Sequence, residues 1–64
     1  MMNLEWLKPR FAQELKQCRR IFGDSQCTAA FLEFVSGAKV LLSETQHRAI
    51  EKIAHDVILE EFGL

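Results

Sequence analysis

The sequence predicts an all-α fold, a small antiparallel bundle of three helices in one domain spanning residues 1–64. Apolar side chains recur at spacings of three and four residues in three segments, which is the repeat of an amphipathic helix. Glycines or a capping pattern separate these segments. No stretch alternates apolar and polar residues in the way that a half-buried strand does. The length of 64 residues is enough for one domain but not for two.

The first helix is expected over residues 4–22, with Gly23 as its end signal. Pro9 leaves two alternatives for its start. Either the regular helix begins near Pro9, with proline in the first turn, or it begins after Asn3 and tolerates a kink. We favour the longer helix because the apolar stripe already includes residues ahead of the proline. That inward stripe consists of Leu4, Leu7, Phe11, Leu15, Cys18 and Phe22.

The second helix is expected over residues 25–36, since Asp24 and Ser25 are both good N-caps. Gly37 is the favoured end signal. The apolar pattern nevertheless continues beyond this glycine, so a helix that runs to residue 41 is the alternative. Its predicted inward face consists of Cys27, Ala30, Phe31, Phe34 and Val35.

The third helix, expected over residues 44–62, has the clearest boundaries. Ser43 and Gln46 have the spacing of a capping box, and Gly63 supplies an end signal. The predicted inward stripe is formed by Ile50, Ile53, Ala54 and Val57.

Composition and the cysteine count narrow the class of protein. The net charge is −1, and no stretch approaches the ~20 apolar residues that a membrane span needs. The first residues lack the basic and apolar regions of a signal peptide. Two cysteines are too few for a disulfide scaffold. We therefore expect a cytoplasmic protein that does not contact a membrane.

Few residues are arranged for chemistry. Cys18 and Cys27 are best interpreted as buried thiols, with a disulfide or a reactive Cys27 at a helix N-terminus as alternatives. His47 and His55 do not have the spacing of two metal ligands on one helix. No nucleophile–base pattern and no glycine-rich phosphate loop is recognisable. We therefore expect no enzyme, no cofactor and no metal.

Apolar residues outside the inward stripes are the strongest functional indication. Several of them on so short a chain predict an interface. They favour a small protein-binding module of the adaptor, regulator or inhibitor type that acts as a homodimer, because association also adds buried surface. The predicted interface residues are Trp6, Leu32, Leu59, Phe62 and Leu64.

The first helix is basic while the rest of the chain is acidic. Residues 1–22 carry five basic and two acidic residues, and residues 23–64 carry three basic and seven acidic ones. This polarity suits an antiparallel dimer. Lys16, Arg19 and Arg20 are the predicted contacts to an acidic partner or to nucleic acid. A nucleic-acid-associated regulator is therefore the alternative function, although these cations also fit a solvated helix face.

Overall fold

The computed structural model describes residues 4–40 and 42–63 and confirms the all-α, three-helix fold. Helix α1 spans Leu7–Phe22, α2 spans Cys27–Lys39 and α3 spans Glu44–Phe62. Each helix packs against the other two. In the described part of the chain, no helix is both long enough and apolar enough to cross a membrane.

Helix α1 begins at Leu7, three residues later than the sequence predicts. Pro9 explains the difference because it has no backbone N–H to donate to Glu5. The carbonyl of Glu5 instead accepts a hydrogen bond from the Lys8 N–H at 3.0 Å, which closes a tighter turn. Pro9 itself lies in the first helical turn, where the missing donor costs nothing. Leu4 is buried as predicted, although it precedes the helix.

Helix α2 begins at Cys27, two residues later than expected, because Asp24 is engaged elsewhere. The Arg19 Nε donates to Asp24 Oδ1 at 2.6 Å, so this carboxylate does not cap the helix. The turn before α2 uses Gly23, whose φ of 83° and ψ of 168° place it in a region that favours glycine. The residue at the N-cap position, Gln26, makes no capping hydrogen bond through its side chain.

Helix α2 continues through Gly37 to Lys39, so the predicted end at residue 36 is three residues early. Gly37 does not adopt the positive φ by which glycine ends a helix. Two contacts from α3 stabilise the additional turn. His47 Nε2 donates to the Lys39 carbonyl at 2.7 Å, and Lys39 Nζ forms an ion pair with Glu51 at 2.7 Å.

Helix α3 has the predicted bounds and the predicted caps. The Gln46 N–H donates to the Ser43 hydroxyl at 3.4 Å, and the Ser43 N–H donates to the Gln46 side chain at 3.2 Å. This reciprocal pair satisfies two backbone donors at the start of the helix. Gly63 ends the helix with a left-handed φ of 71°.

The core is one apolar cluster to which all three helices contribute. Phe11 of α1 contacts Phe31 of α2 edge to face, with ring centroids 5.8 Å apart. The largest fully buried side chains include Leu15, Phe31 and Ile50. The buried residues of the cluster are Leu4, Phe11, Leu15, Cys18, Cys27, Phe31, Val35, Ile50, Ile53, Ala54 and Val57.

Two residues predicted to face inward are exposed instead. Phe22 is 52% exposed because it is the last residue of α1, beyond the part of the helix that its neighbours cover. Phe34 is 43% exposed because it lies at the margin of the buried α2 face, beside Phe31 but turned toward α1. The buried faces of α1 and α2 therefore contain fewer residues than the apolar spacing in the sequence predicts.

We expect Phe31→Ala to lower the free energy of unfolding by about 3–5 kcal/mol, because it opens a cavity in the core. Phe22→Ala is the matched control, and it should change stability by less than about 0.5 kcal/mol since that ring is largely solvated. Urea denaturation followed by circular dichroism measures both. Similar losses in the two variants would contradict this arrangement.

Candidate binding groove

The outer side of α1 and the adjacent edge of α2 form a shallow groove, here called the α1–α2 groove. Its lining includes the basic residues Arg10, Lys16 and Arg20, all of which are exposed. Trp6 and Phe34 line the same groove, and they are 58% and 43% exposed. Exposed aromatic rings thus lie beside positive charge. This combination is typical of surfaces that bind a partner with anionic and apolar groups.

The ring of Phe34 is held in place from below by the core. Its centroid lies 6.0 Å from that of Phe11, with the two planes at 78°. Phe11 is in turn packed against the buried Phe31. Phe34 therefore presents a fixed apolar surface to solvent. The sequence pattern assigned Phe34 to the core and so missed this residue. Its position at the edge of a wide apolar arc on α2 was the sequence feature that could have indicated its exposure.

Two cations of α1 point instead toward α3. Lys8 Nζ lies 3.0 Å from Glu60 Oε1, and Arg19 Nη1 lies 3.4 Å from Glu61 Oε1. Lys8 and Arg19 stand ~16 Å apart along α1, a distance of three helical turns. Because they nevertheless reach adjacent residues, the carboxyl end of α3 lies across the middle of α1. The acidic end of α3 thus offsets the charge of two of the α1 cations within one chain.

The intrachain ion pairs shift the pKa values of Lys8, Asp24 and Glu51 in the directions expected for such pairs. The hydrogen bond to Glu60 raises the pKa of Lys8. The hydrogen bond from Arg19 lowers the pKa of Asp24. In the same way, the hydrogen bond from Lys39 lowers the pKa of Glu51.

Arg19, one of the predicted contact residues, is occupied within the chain. Its guanidinium pairs with Asp24 and Glu61, and its Cζ lies 4.8 Å from the ring centroid of Phe62. A cation over an aromatic face is a favourable contact. Arg19 therefore stabilises the junction of α1 with the end of α3. Lys16 and Arg20, the other two predicted contacts, do line the groove.

The predicted interface residues are distributed over different parts of the surface. Trp6 lies in the α1–α2 groove, whereas Leu32 is exposed on another side of α2. Leu59 and Phe62 are only partly exposed, and Phe62 packs against the core beneath Arg19. Leu64 lies outside the described residues. The four described residues therefore do not form one continuous patch.

Leu32 borders a second, smaller groove, here called the α2–α3 groove. Its floor is apolar and includes Val35, Ala54 and Ile58. The Lys39–Glu51 ion pair lies at its rim. This groove is less charged than the α1–α2 groove, and its cation already has a partner.

Both cysteines lie in the core. Cys18 and Cys27 are both buried free thiols, in agreement with the first interpretation of the sequence. Burial raises the pKa of Cys18. Cys27 donates through Sγ to the Asp24 carbonyl at 3.6 Å and is inaccessible to solvent. Within residues 4–40 and 42–63, no three metal-ligating side chains come together.

Comparisons with protein-family models, curated proteins and solved structures found no match to the chain. The geometry and charge of the α1–α2 groove are therefore the indications of its function.

The ion pair between Arg19 and Asp24 predicts an acid dependence of stability. Because the folded-state pKa of Asp24 is lowered from 3.8, the pair contributes fully above that value. Its contribution is lost as the pH falls through the lower, folded-state pKa. Urea midpoints measured between about pH 5 and pH 2 should fall less steeply for Asp24→Asn than for the wild type.

Glu33→Gln is the control for this experiment. Glu33 is an exposed acid on α2 that forms no ion pair with any described residue. Its removal should leave the slope of the wild type unchanged. If Asp24→Asn and the wild type lose stability in parallel over this range, the Arg19–Asp24 pair does not contribute as described.

Proposed function

We propose that the protein is a small non-catalytic interaction module that binds another protein through the α1–α2 groove. One observation carries the proposal: exposed Trp6 and Phe34 share a groove with three cations of the same helix bundle. In the described residues, Arg10, Lys16 and Arg20 form no ion pair. Aromatic and arginine side chains are the types most often found at the energetic centres of protein interfaces.

The charged groups in the groove are suited to binding. A guanidinium cannot be deprotonated in a protein, so it attracts anions but does not exchange protons as a general acid or base. Arg10 and Arg20 supply two such groups, both of which line the groove. A role as an adaptor, regulator or inhibitor in the cytoplasm is in keeping with this chemistry and with the low cysteine count.

Nucleic-acid binding is the second candidate function for the same groove. It is favoured by the three cations without intrachain partners and by Trp6, on which a base can stack. Binding of this kind is strongest at low salt, where counterion release contributes most. A single-stranded oligonucleotide that fails to bind at ~50 mM salt would exclude it.

We further propose that two copies associate through the α2–α3 groove. Leu32 is 46% exposed at its edge, and Val35, Ala54 and Ile58 form an apolar floor. Lys39 and Glu51 at the rim already pair with each other, so neither leaves an uncompensated charge against a second copy. The overall charge polarity no longer supports a dimer, because Lys8 and Arg19 meet their acids within the chain.

The protein-binding proposal predicts a partner that depends on the groove. In affinity capture from native cells, Trp6→Ala with Phe34→Ala should abolish recovery of a protein that the wild type retains. The loss of two exposed aromatic contacts accounts for this result. Ile21→Ala with Phe22→Ala is the control, because these side chains are at least as exposed but lie outside the groove. The proposal fails if every recovered protein binds both double variants equally.

The dimer proposal predicts a concentration-dependent mass. Sedimentation equilibrium at micromolar concentration should give twice the chain mass of 7.4 kDa. Leu32→Glu should weaken the association at least about tenfold, since it places a charge in an apolar contact. Ile21→Glu, which is exposed outside this groove, should not do so. A compact monomer at all concentrations would exclude the dimer.

A further inference from the structure

We infer that the natural occupant of the α1–α2 groove is an acidic amphipathic helix of a partner protein. Its carboxylates would lie over the cations of α1, and its aliphatic side chains against Trp6 and Phe34. The inference rests on the proposed protein-binding function and deepens it, because it names the chemistry and secondary structure of the partner segment.

The unpaired cations of α1 are spaced along the length of the helix. Arg10 and Arg20 stand ten residues apart on α1, which corresponds to ~15 Å along the helix axis. Lys16 lies between them in the chain and lines the same groove. A second helix laid along α1 covers this distance in about three turns. Acidic residues on one face of such a helix therefore meet cations along its whole length.

Helix α2 supplies an apolar wall of the groove. Phe34 is fixed by its edge-to-face contact with Phe11, so little conformational freedom is lost when a partner covers it. Ala38 follows one turn later on the same side of α2 and also lines the groove. A large ring followed by a small side chain leaves room for an aliphatic residue. Apolar residues at helical spacing fit this pattern of contact.

The acidic residues of the chain favour a helical peptide over a nucleic acid as the occupant. The chain is net negative, and a long polyanion is repelled by the acids outside the groove. Glu14, half-buried, also lines the groove and disfavours a continuous run of phosphates there. A helix can place carboxylates opposite the cations and an uncharged residue opposite Glu14. The combination of cations with an acid in the groove therefore favours a peptide over a nucleic acid.

A peptide-display selection tests this inference without a known partner. A library of random peptides of about 16 residues, which span ~24 Å as helices, is selected on the folded wild-type protein. The counter-selection uses the double variant Arg10→Glu with Arg20→Glu. Enriched sequences should carry Asp or Glu on one helix face and Leu, Ile or Phe on the other. Circular dichroism confirms that both proteins are folded, and Arg10→Gln with Arg20→Gln replaces the variant if charge reversal unfolds it.

Binding of the most enriched peptide then measures the contribution of each part of the groove. Arg10→Glu with Arg20→Glu should weaken it at least about tenfold, because attraction becomes repulsion. The matched control, Arg48→Glu with Lys52→Glu, makes the same change in net charge at exposed α3 positions and should weaken it less than about twofold. Phe34→Ala should weaken binding but keep its salt dependence. The fluorescence of Trp6, the only tryptophan, should shift to shorter wavelength when a peptide covers it.

Several results would overturn the inference. Enrichment of neutral or basic peptides, no groove-dependent enrichment, or equal loss in the two charge-reversed proteins would each do so. A single-stranded oligonucleotide that binds more tightly than every selected peptide, and loses affinity in the groove variant, would assign the site to nucleic acid. A cellular partner that needs Trp6 and Phe34 but docks through a segment without acids would overturn this inference alone, and the proposed function would stand.

Discussion

The packing of Leu15 and Phe31 in the shared core is the constraint on which the rest of the structure depends. Both side chains are fully buried, and Phe31 is locked edge to face against Phe11. Because each helix supplies only three or four buried residues, two helices alone cannot exclude water from this cluster. The third helix must dock for the first two to be stable. Because α2 and α3 both pack on α1, they also determine which side of α1 stays exposed to a partner.

The basic residues of α1 fall into two groups on different sides of the helix, as a result of this docking and of the helical repeat. Lys8 and Arg19 are three turns apart and therefore share a face, which the acidic end of α3 covers. Arg10 and Arg20 project from another side and retain their charge for other contacts. The acids of α3 thus offset part of the charge of α1 and leave the rest concentrated beside two exposed aromatic rings.

The sequence pattern predicted the three helices, the Ser43 capping box and most of the core, because these features depend on local spacing. It did not predict the exposure of Phe22 and Phe34. Periodicity reports the direction of a side chain around its own helix, but not whether another helix extends far enough to cover it. The start of α2 was missed for a similar reason. Asp24 is a good N-cap by type, yet Arg19 binds its carboxylate across the turn.

The two buried thiols make the separation of α1 from α2 observable. Cys18 and Cys27 lie on either side of the Gly23 turn, one on each helix, and opening of the hairpin makes both thiols accessible to a reagent. The same two helices form the walls of the α1–α2 groove. An occupant that contacts both walls holds the hairpin closed and slows alkylation of thiols that it never touches. The rate of alkylation therefore reports occupancy of the groove without any label attached to the binding surface.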